Sequence, residues 1–259
     1  MPKNRYSKII EKIFSKYYQG GMTKFVFDRA DAEKAAKQLK IELPKNIGDI
    51  FYSFRYRNPL PKTIAKTASD GLSWIIRPAG KSKYQFCLAK HFSLEPMEHL
   101  AEIKIAEATP SIVEHNSLSD EQALLAKVRY NRLIDVFSGV VCYSLQNHLR
   151  TTVKDMGQVE TDEMYVGVNT NGQQYVFPVQ AKGGKDKLSI VQIEQDYAMC
   201  KEKFPTLTVV PIAVQFMEGN LIAMFSFVEE GSEMKISDEK HYRLVPADQI
   251  SEKDLKGYK

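Results

Sequence analysis

The spacing of apolar residues divides the first ninety residues into three helices and two strands. Apolar side chains recur three and four residues apart in 6–18 and in 46–58, which is the period of an amphipathic helix. Residues 29–41 are rich in Ala, Lys and Glu, which have high helix propensity. The runs 72–78 and 84–90 carry β-branched and aromatic residues around a glycine-containing turn, so they predict a hairpin.

This order of elements is typical of a winged helix-turn-helix domain, in which one helix enters the major groove and the hairpin contacts the DNA backbone. The third helix ends with Arg55, Tyr56 and Arg57, which we interpret as the recognition element. Lys81 and Lys83, on the turn of the hairpin, are candidate phosphate contacts. Other small α+β modules share the order, and the aromatic residues of the third helix also fit a purely structural core.

The distribution of charge supports a division into two domains. Residues 1–91 hold 19 Lys and Arg against 7 Asp and Glu, whereas the remaining 168 residues hold 17 basic and 25 acidic side chains. We therefore predict a basic DNA-recognition domain over 1–91, a connection over 92–118 and a second domain over 119–259. The alternative is a solvated basic surface on an ordinary domain.

The pattern of the second domain alternates between helices and strands. An amphipathic helix is predicted over 119–137 and a further helical stretch over roughly 139–150. Two strands then flank the turn NTNG within 157–187. A helix over 188–204 follows, and the last predicted elements are strands over 207–217, 221–230 and 241–246.

Polar residues interrupt the two strands around the NTNG turn. Glu160 and Asp162 share one strand face, and Gln180 and Lys182 share a face of the next strand, because successive residues alternate sides. If the strands are neighbours, two carboxylates, an amide oxygen and an ammonium group converge. A plain cross-strand ion pair between Asp162 and Lys182 is the alternative interpretation.

This arrangement resembles the active site of the PD-(D/E)xK nuclease superfamily, to which many type II restriction endonucleases belong. Asp162 matches the acidic position of the family motif, and Gln180-Ala181-Lys182 matches its triplet, with glutamine where an acid is usual. The resemblance covers the element order over about residues 119–230. It implies a two-domain protein of α+β and α/β class, in which a restriction-endonuclease-like αβββαβ core with a mixed sheet follows the winged-helix-like domain.

The resemblance also implies a magnesium site. Asp162 would be the direct carboxylate ligand, with further oxygens from the Gln180 side chain and the Ala181 carbonyl. These are hard ligands of the kind that Mg²⁺ prefers. Lys182 would hold the attacking water and the scissile phosphate, and would help to deprotonate that water.

The glutamine in the triplet removes one negative charge, so we expect another carboxylate to compensate. The first candidate is Glu160, two residues before Asp162, which we therefore predict to be a catalytic residue. The second candidate is Glu121, at the start of the preceding helix. Lys185 follows the second strand and is a candidate DNA-backbone contact.

Composition excludes several other classes of function. Hydrophobic residues make up 43% of the chain, but no apolar run is long enough to span a membrane, so we expect a cytoplasmic protein without a membrane partner. The cysteines, Cys87, Cys142 and Cys200, are too widely spaced for a zinc knuckle or a disulfide framework and predict buried thiols.

Together these features predict a site-specific, Mg²⁺-dependent endonuclease acting on double-stranded DNA. Recognition of a palindrome favours a homodimer, and a restriction enzyme would have a cognate DNA methyltransferase as a functional rather than a physical partner. Two alternatives stay open. One is a winged-helix DNA-binding regulator without cleavage activity, and the other is a structure-specific repair nuclease.

Overall fold

A computed structural model describes residues 6–56, 58–90, 94–116, 120–154, 156–183, 186, 188–231 and 233–257, without the side chains of Lys90, Asp120 and Gln122. The chain is a mixed α+β protein that divides into two compact units. The first unit comprises Met1–Ser93 and Thr152–Gln158, and the second comprises Leu94–Thr151 and Val159–Lys259.

The first unit combines four helices with a small antiparallel sheet of strand order β1-β3-β2. Its elements are α1 (Ser7–Tyr17), β1 (Lys24–Asp28), α2 (Ala30–Leu39), α3 (Gly48–Tyr56), α4 (Lys62–Ala65), β2 (Leu72–Pro78) and β3 (Lys83–Lys90).

An aromatic cluster forms the centre of the first unit. The ring of Phe14, on the apolar face of α1, lies 5.3 Å from Phe25, 5.2 Å from Trp74 and 5.1 Å from Phe86. These residues come from α1 and from all three strands, so their burial holds the helix on the sheet.

Strand β1 was not predicted from the sequence. Its residues, KFVFD, alternate between exposed and buried, which is the two-residue period of a half-buried strand. The predicted hairpin over 72–78 and 84–90 agrees with β2 and β3, and the predicted third helix is shorter than expected at Gly48–Tyr56.

The second unit is built on one large mixed sheet. Its elements are β4 (Glu102–Ala106), α5 (Ser111–Asn116), α6 (Asp120–Tyr130), α7 (Leu133–Ser138), β5 (Val141–Val153), β6 (Gly157–Val168), β7 (Gln174–Lys182), α8 (Ile190–Lys203), β8 (Thr208–Val209), β9 (Ile212–Met217), β10 (Leu221–Glu230), β11 (Glu233–Val245) and α9 (Glu252–Lys256). The turn between β5 and β6 belongs to the first unit.

The strand order of this sheet is β4-β11-β10-β9-β7-β6-β5, with β8 beside β7. Strands β6 and β7 pair antiparallel, whereas β7 and β9 pair parallel because α8 connects them. Strand β4 pairs parallel with β11 at one edge.

Helices cover both faces of the sheet around β7. On one face, Leu124 and Val128 of α6 and Phe137 of α7 share a buried cluster with Phe177 and Val179 of β7.

The next residue along β7 projects to the opposite face. There the Gln180 amide nitrogen lies 2.8 Å from a carboxylate oxygen of Asp196 on α8. Helix α8 therefore covers the face of the sheet that α6 and α7 leave open.

The structure differs from the sequence prediction in the segments 139–150 and 92–118. The helix predicted over 139–150 is strand β5, whose Val, Thr and Tyr residues favour extended structure once a neighbouring strand is present. The segment 92–118, predicted as a connection, contains strand β4 and helix α5. The alternation of EIKIA and its pairing with β11 explain this strand.

Two expectations from composition can be compared with the structure. Cys87, Cys142 and Cys200 are buried free thiols, as predicted. No helix in the part of the chain that the structure describes has the length and apolar character needed to cross a membrane.

Candidate active site

The candidate active site lies where strands β6 and β7 diverge. Their antiparallel register extends to the pair formed by Glu163 and Val179. Beyond this pair, the backbone N–H of Ala181 donates to Oδ2 of Asp162 at 2.8 Å. A side-chain carboxylate therefore takes the place in which a carbonyl of the neighbouring strand would ordinarily accept.

The divergence is one-sided. Strand β7 stays paired with β9 as far as Ala181 opposite Val214 and Lys182 opposite Gln215. Because the N–H and C=O of one strand residue project to the same side, the Ala181 carbonyl also projects toward β6. Two oxygen-bearing groups, the Asp162 carboxylate and the Ala181 carbonyl, thus border the same opening.

The Asp162 carboxylate carries its negative charge in a poorly solvated position. Burial raises the pKa of Asp162, and the nearby negative charge of Glu121 raises it further. The charge of Lys182 and the hydrogen bond from Ala181 oppose these effects without cancelling them. A cation beside this carboxylate would relieve the cost of keeping it ionised.

Lys182 is oriented by an acidic residue from another element. Its Nζ lies 3.0 Å from Oε1 of Glu121, in the first turn of α6. The Lys182 side chain is only 14% exposed, whereas Glu121 is 42% exposed. The ammonium group is thus held at the edge of the site by a partner that water can reach.

Gln180 belongs to a buried network on the α8 side of the sheet. Its amide nitrogen donates to Asp196 at 2.8 Å and to the Glu160 carbonyl at 3.0 Å. Its amide oxygen accepts from Gln192 at 3.1 Å, and the other oxygen of Asp196 accepts from the Thr161 hydroxyl at 2.6 Å. Each polar group of Gln180 is therefore engaged.

Asp196 was missed by the sequence analysis. Burial raises the pKa of Asp196 to about 7; hydrogen bonds from Thr161 and Gln180 act in the opposite direction, and the charge of Asp162 adds to the increase. The signal was present in α8, where this acidic residue falls on the buried face three residues after Ile193 and four before Cys200.

Glu121 and Glu160, the two candidates for the additional carboxylate, lie in different environments. Glu121 contacts Lys182, as described, and influences Asp162. The Glu160 side chain is 48% exposed and pairs with Arg150 at 2.8 Å. The structure therefore brings Asp162, Ala181, Lys182 and Glu121 together, with Gln180 behind them, and directs Glu160 to a different partner.

The predicted DNA contacts of the first unit lie on α3 and on the β2–β3 turn. Arg55 is half-buried, with its guanidinium 4.7 Å from the centre of the Tyr56 ring. Lys81 and Lys83 are exposed. The other two predicted contacts, Arg57 and Lys185, lie outside the described residues.

The donor set decides which kind of metal ion would fit. No group of three or more His, Cys, Asp or Glu side chains suited to a metal is found in the described portion of the chain. The available donors are hard oxygens, namely the Asp162 carboxylate and the Ala181 carbonyl, and on the α8 side a buried Gln192 Oε1 without a hydrogen-bond partner. Such a set fits an ion that keeps several of its waters, as Mg²⁺ does, better than an all-protein cage.

Comparison with known proteins gives no relative. No protein-family model, curated protein or solved structure matches this chain. Its function is therefore argued from the geometry of the site and from the charges of the two units.

The raised pKa of Asp196 predicts a pH-dependent stability. The folded chain keeps this proton up to about pH 7, whereas an ordinary aspartate, with a pKa of 3.8, has lost it. Stability should therefore fall as pH rises through this interval, by roughly 2–3 kcal/mol between about pH 5 and about pH 8 relative to Asp196→Asn. Urea unfolding of both proteins in EDTA at about pH 5 and about pH 8 measures the difference. An equal difference at both pH values contradicts the prediction, and the exposed Glu202→Gln is the control.

The contact between Gln180 and Asp196 predicts that the usual acid of the triplet is incompatible with this core. Gln180→Glu places two carboxyl groups at hydrogen-bond distance, and we expect it to lower the free energy of unfolding by about 2–4 kcal/mol at about pH 8, above the pKa of about 7 of Asp196. Adding Asp196→Asn removes the repulsion and should recover about 1–2 kcal/mol. A double-mutant cycle in urea tests this, and additive losses would show that the two side chains are not coupled.

Proposed function

We propose that this chain is a divalent-metal-dependent endonuclease that hydrolyses double-stranded DNA at specific sites, resembling type II restriction enzymes. The observation that carries the proposal is the meeting of Asp162, Ala181 and Lys182 at the divergence of two neighbouring strands, with Glu121 beside the lysine. We also propose that the first unit is a winged-helix-like domain and that the second unit has a PD-(D/E)xK-like core.

The first unit supports a DNA-recognition role. Its chain order, α1-β1-α2-α3-α4-β2-β3, places a basic hairpin after the helices, as a winged helix requires. Helix α3 carries Arg55 and Tyr56 near its end, and Lys81 and Lys83 flank the hairpin turn. In this interpretation α3 reads the major groove while the hairpin lysines contact phosphates.

The second unit supports the nuclease role through the order and pairing of its elements. Helix α6 and the short α7 precede the three strands β5, β6 and β7, after which α8 leads to β9 in parallel pairing with β7. This is the αβββαβ order expected from the resemblance. Asp162 and Lys182 fall on the second and third of these strands.

Magnesium would be held by the Asp162 carboxylate and the Ala181 carbonyl, and when bound it would neutralise phosphate charge and lower the pKa of a bound water. The Gln180 oxygen accepts one hydrogen bond, from Gln192, so its second lone pair is the one that would be offered to the ion. Asp196 then supports the site indirectly, because it holds Gln180 in place.

The side chains of the site have separate tasks in the reaction. The Lys182 ammonium orients the attacking water and a non-bridging phosphate oxygen, and it stabilises the charge that develops there. Glu121, within hydrogen-bond distance of that ammonium, positions it and can accept the proton of the water. The water oxygen forms a bond to phosphorus as the bond to the leaving sugar oxygen breaks, and that oxygen takes up a proton from solvent.

A second function has a specific observation in its favour. The described residues contain no three-acid metal cluster, and the triplet begins with Gln180 instead of an acid. Both features fit a DNA-binding regulator that retains the nuclease scaffold without cleavage. Such a protein would bind DNA with a strong salt dependence and leave it intact.

Digestion of plasmid and phage DNA by the purified protein, with and without Mg²⁺, tests the proposal. We expect discrete fragments with Mg²⁺. Asp162→Asn, which keeps an oxygen for the Ala181 N–H, and Lys182→Ala should each lower the cleavage rate by about 10²-fold or more. Asp248→Asn, an exposed change elsewhere in the second unit, is the matched control.

Each digestion pattern has a distinct meaning. A smear lost in Asp162→Asn would contradict sequence specificity but keep the nuclease. Cleavage restricted to flaps or junctions would favour the repair nuclease. DNA that is shifted on a gel but stays intact would overturn the nuclease proposal in favour of the regulator.

The expected homodimer has a candidate surface in strand β5. This strand is 13 residues long and lies at one edge of the sheet, where Val141, Tyr143 and Leu145 are 51%, 62% and 49% exposed at alternate positions. Strand β4, at the other edge, is only 5 residues long and carries Glu102 and Lys104. Short, charged edges resist pairing, whereas β5 is long, and Arg150 near its end is the one Asp, Glu, Lys or Arg residue among its 13 residues, so it is a better template for pairing.

We expect β5 to pair with β5 of a second copy about a two-fold axis, since an isologous contact is self-complementary. Sedimentation equilibrium should give twice the 29.5 kDa chain mass for the parent protein. Leu145→Lys should yield monomer, while Val228→Lys, at an exposed apolar position on β10, should not. A monomeric parent protein at micromolar concentration would refute this arrangement.

A further inference from the structure

The first unit contains a groove that the sequence analysis did not anticipate. Its cavity volume is about 740 Å³. One side is formed by the end of α3 and the β2–β3 turn, and the other by Thr152–Gln158, the turn between β5 and β6. All of these residues belong to the first unit.

The charged residues that the structure describes in the lining of the groove are all basic. They are Arg55, Lys81, Lys83 and Lys154, and no Asp or Glu is among the described lining residues. The three lysines are exposed to solvent. Four positive charges around one concave surface attract a polyanion and raise its local concentration.

The remaining polar lining residues fit a phosphate backbone better than a small apolar ligand. Ser82 from the β2–β3 turn and Thr152 and Gln158 from the second turn are exposed and offer hydroxyl and amide donors. Pockets for drug-sized ligands are instead lined mainly by apolar and aromatic side chains. Hydroxyls, amides and lysines are the usual partners of phosphate oxygens.

We propose that this groove binds the sugar-phosphate backbone of duplex DNA, and that the turn Thr152–Gln158 is a second backbone contact facing the β2–β3 turn. The inference rests on the proposed function in that DNA is taken as the partner. It adds Lys154, Thr152 and Gln158 to the interface.

A contact with the DNA backbone can be measured from the salt dependence of the DNA-binding constant. Each phosphate contact contributes about −0.9 to the slope of log K against log salt concentration on duplex DNA. The binding constant for a fluorescent duplex is therefore measured by anisotropy in EDTA over roughly 50 to 200 mM KCl. Lys154→Ala should make the slope shallower by about 0.9, and a shuffled duplex should show the same change because the contact carries no sequence information.

Two further variants define the comparison. Lys81→Ala, on the opposite side of the groove, should also reduce the slope by about 0.9, and the double variant with Lys154→Ala by about 1.8. Lys37→Ala removes an exposed lysine from α2, outside the groove, and should leave the slope unchanged. Thermal unfolding of each variant verifies that the fold is retained.

The outcomes separate this inference from the proposed activity. A protein that cleaves DNA but whose slope is unaffected by Lys154→Ala overturns the groove contact alone. A protein whose slope depends on Lys154 but which never cleaves with Mg²⁺ overturns the nuclease proposal alone. A change in slope with Lys37→Ala as large as that with Lys154→Ala would overturn the groove by showing an undirected charge effect.

Discussion

The hydrogen bond from the Ala181 N–H to the Asp162 carboxylate is the interaction on which the geometry of the candidate site depends. It satisfies a backbone donor that would otherwise face an opening between strands, and it fixes the carboxylate beside a carbonyl and an ammonium group. Lys182 reaches the same opening because β7 is still held by β9. The site thus lies where the hydrogen bonds between β6 and β7 are interrupted, whereas those between β7 and β9 continue.

Behind this opening, Gln180 is held by a buried acid, Asp196. The amide of Gln180 donates to one oxygen of Asp196, and the other oxygen accepts from Thr161, so the carboxyl group that contacts Gln180 comes from helix α8 and not from a strand. Burial makes this carboxyl hold a proton near neutral pH. The glutamine is consistent with that neighbour, since its amide donates to Asp196 in either protonation state, whereas a glutamate and Asp196 could not both ionise at this distance without repulsion.

The sequence predicted what depends on local pattern and missed what depends on distant partners. The hairpin of the first unit and the strands around Asp162 and Lys182 follow from two-residue alternation and turn residues. Strand β5 was predicted as a helix because its polar residues are exposed on both faces, so the alternation that marks a half-buried strand is absent. The role of Asp196 depends on contacts with Thr161 and Gln180, 35 and 16 residues away in the chain, which no local pattern contains.

The interrupted ladder also separates the proposed chemistry from the fold. Asp162 lies at the opening and is not a member of the buried clusters that stabilise the two units. If the proposed function holds, a single substitution at Asp162 would abolish cleavage while both units stay folded. Catalysis would then be lost without loss of the scaffold that carries it.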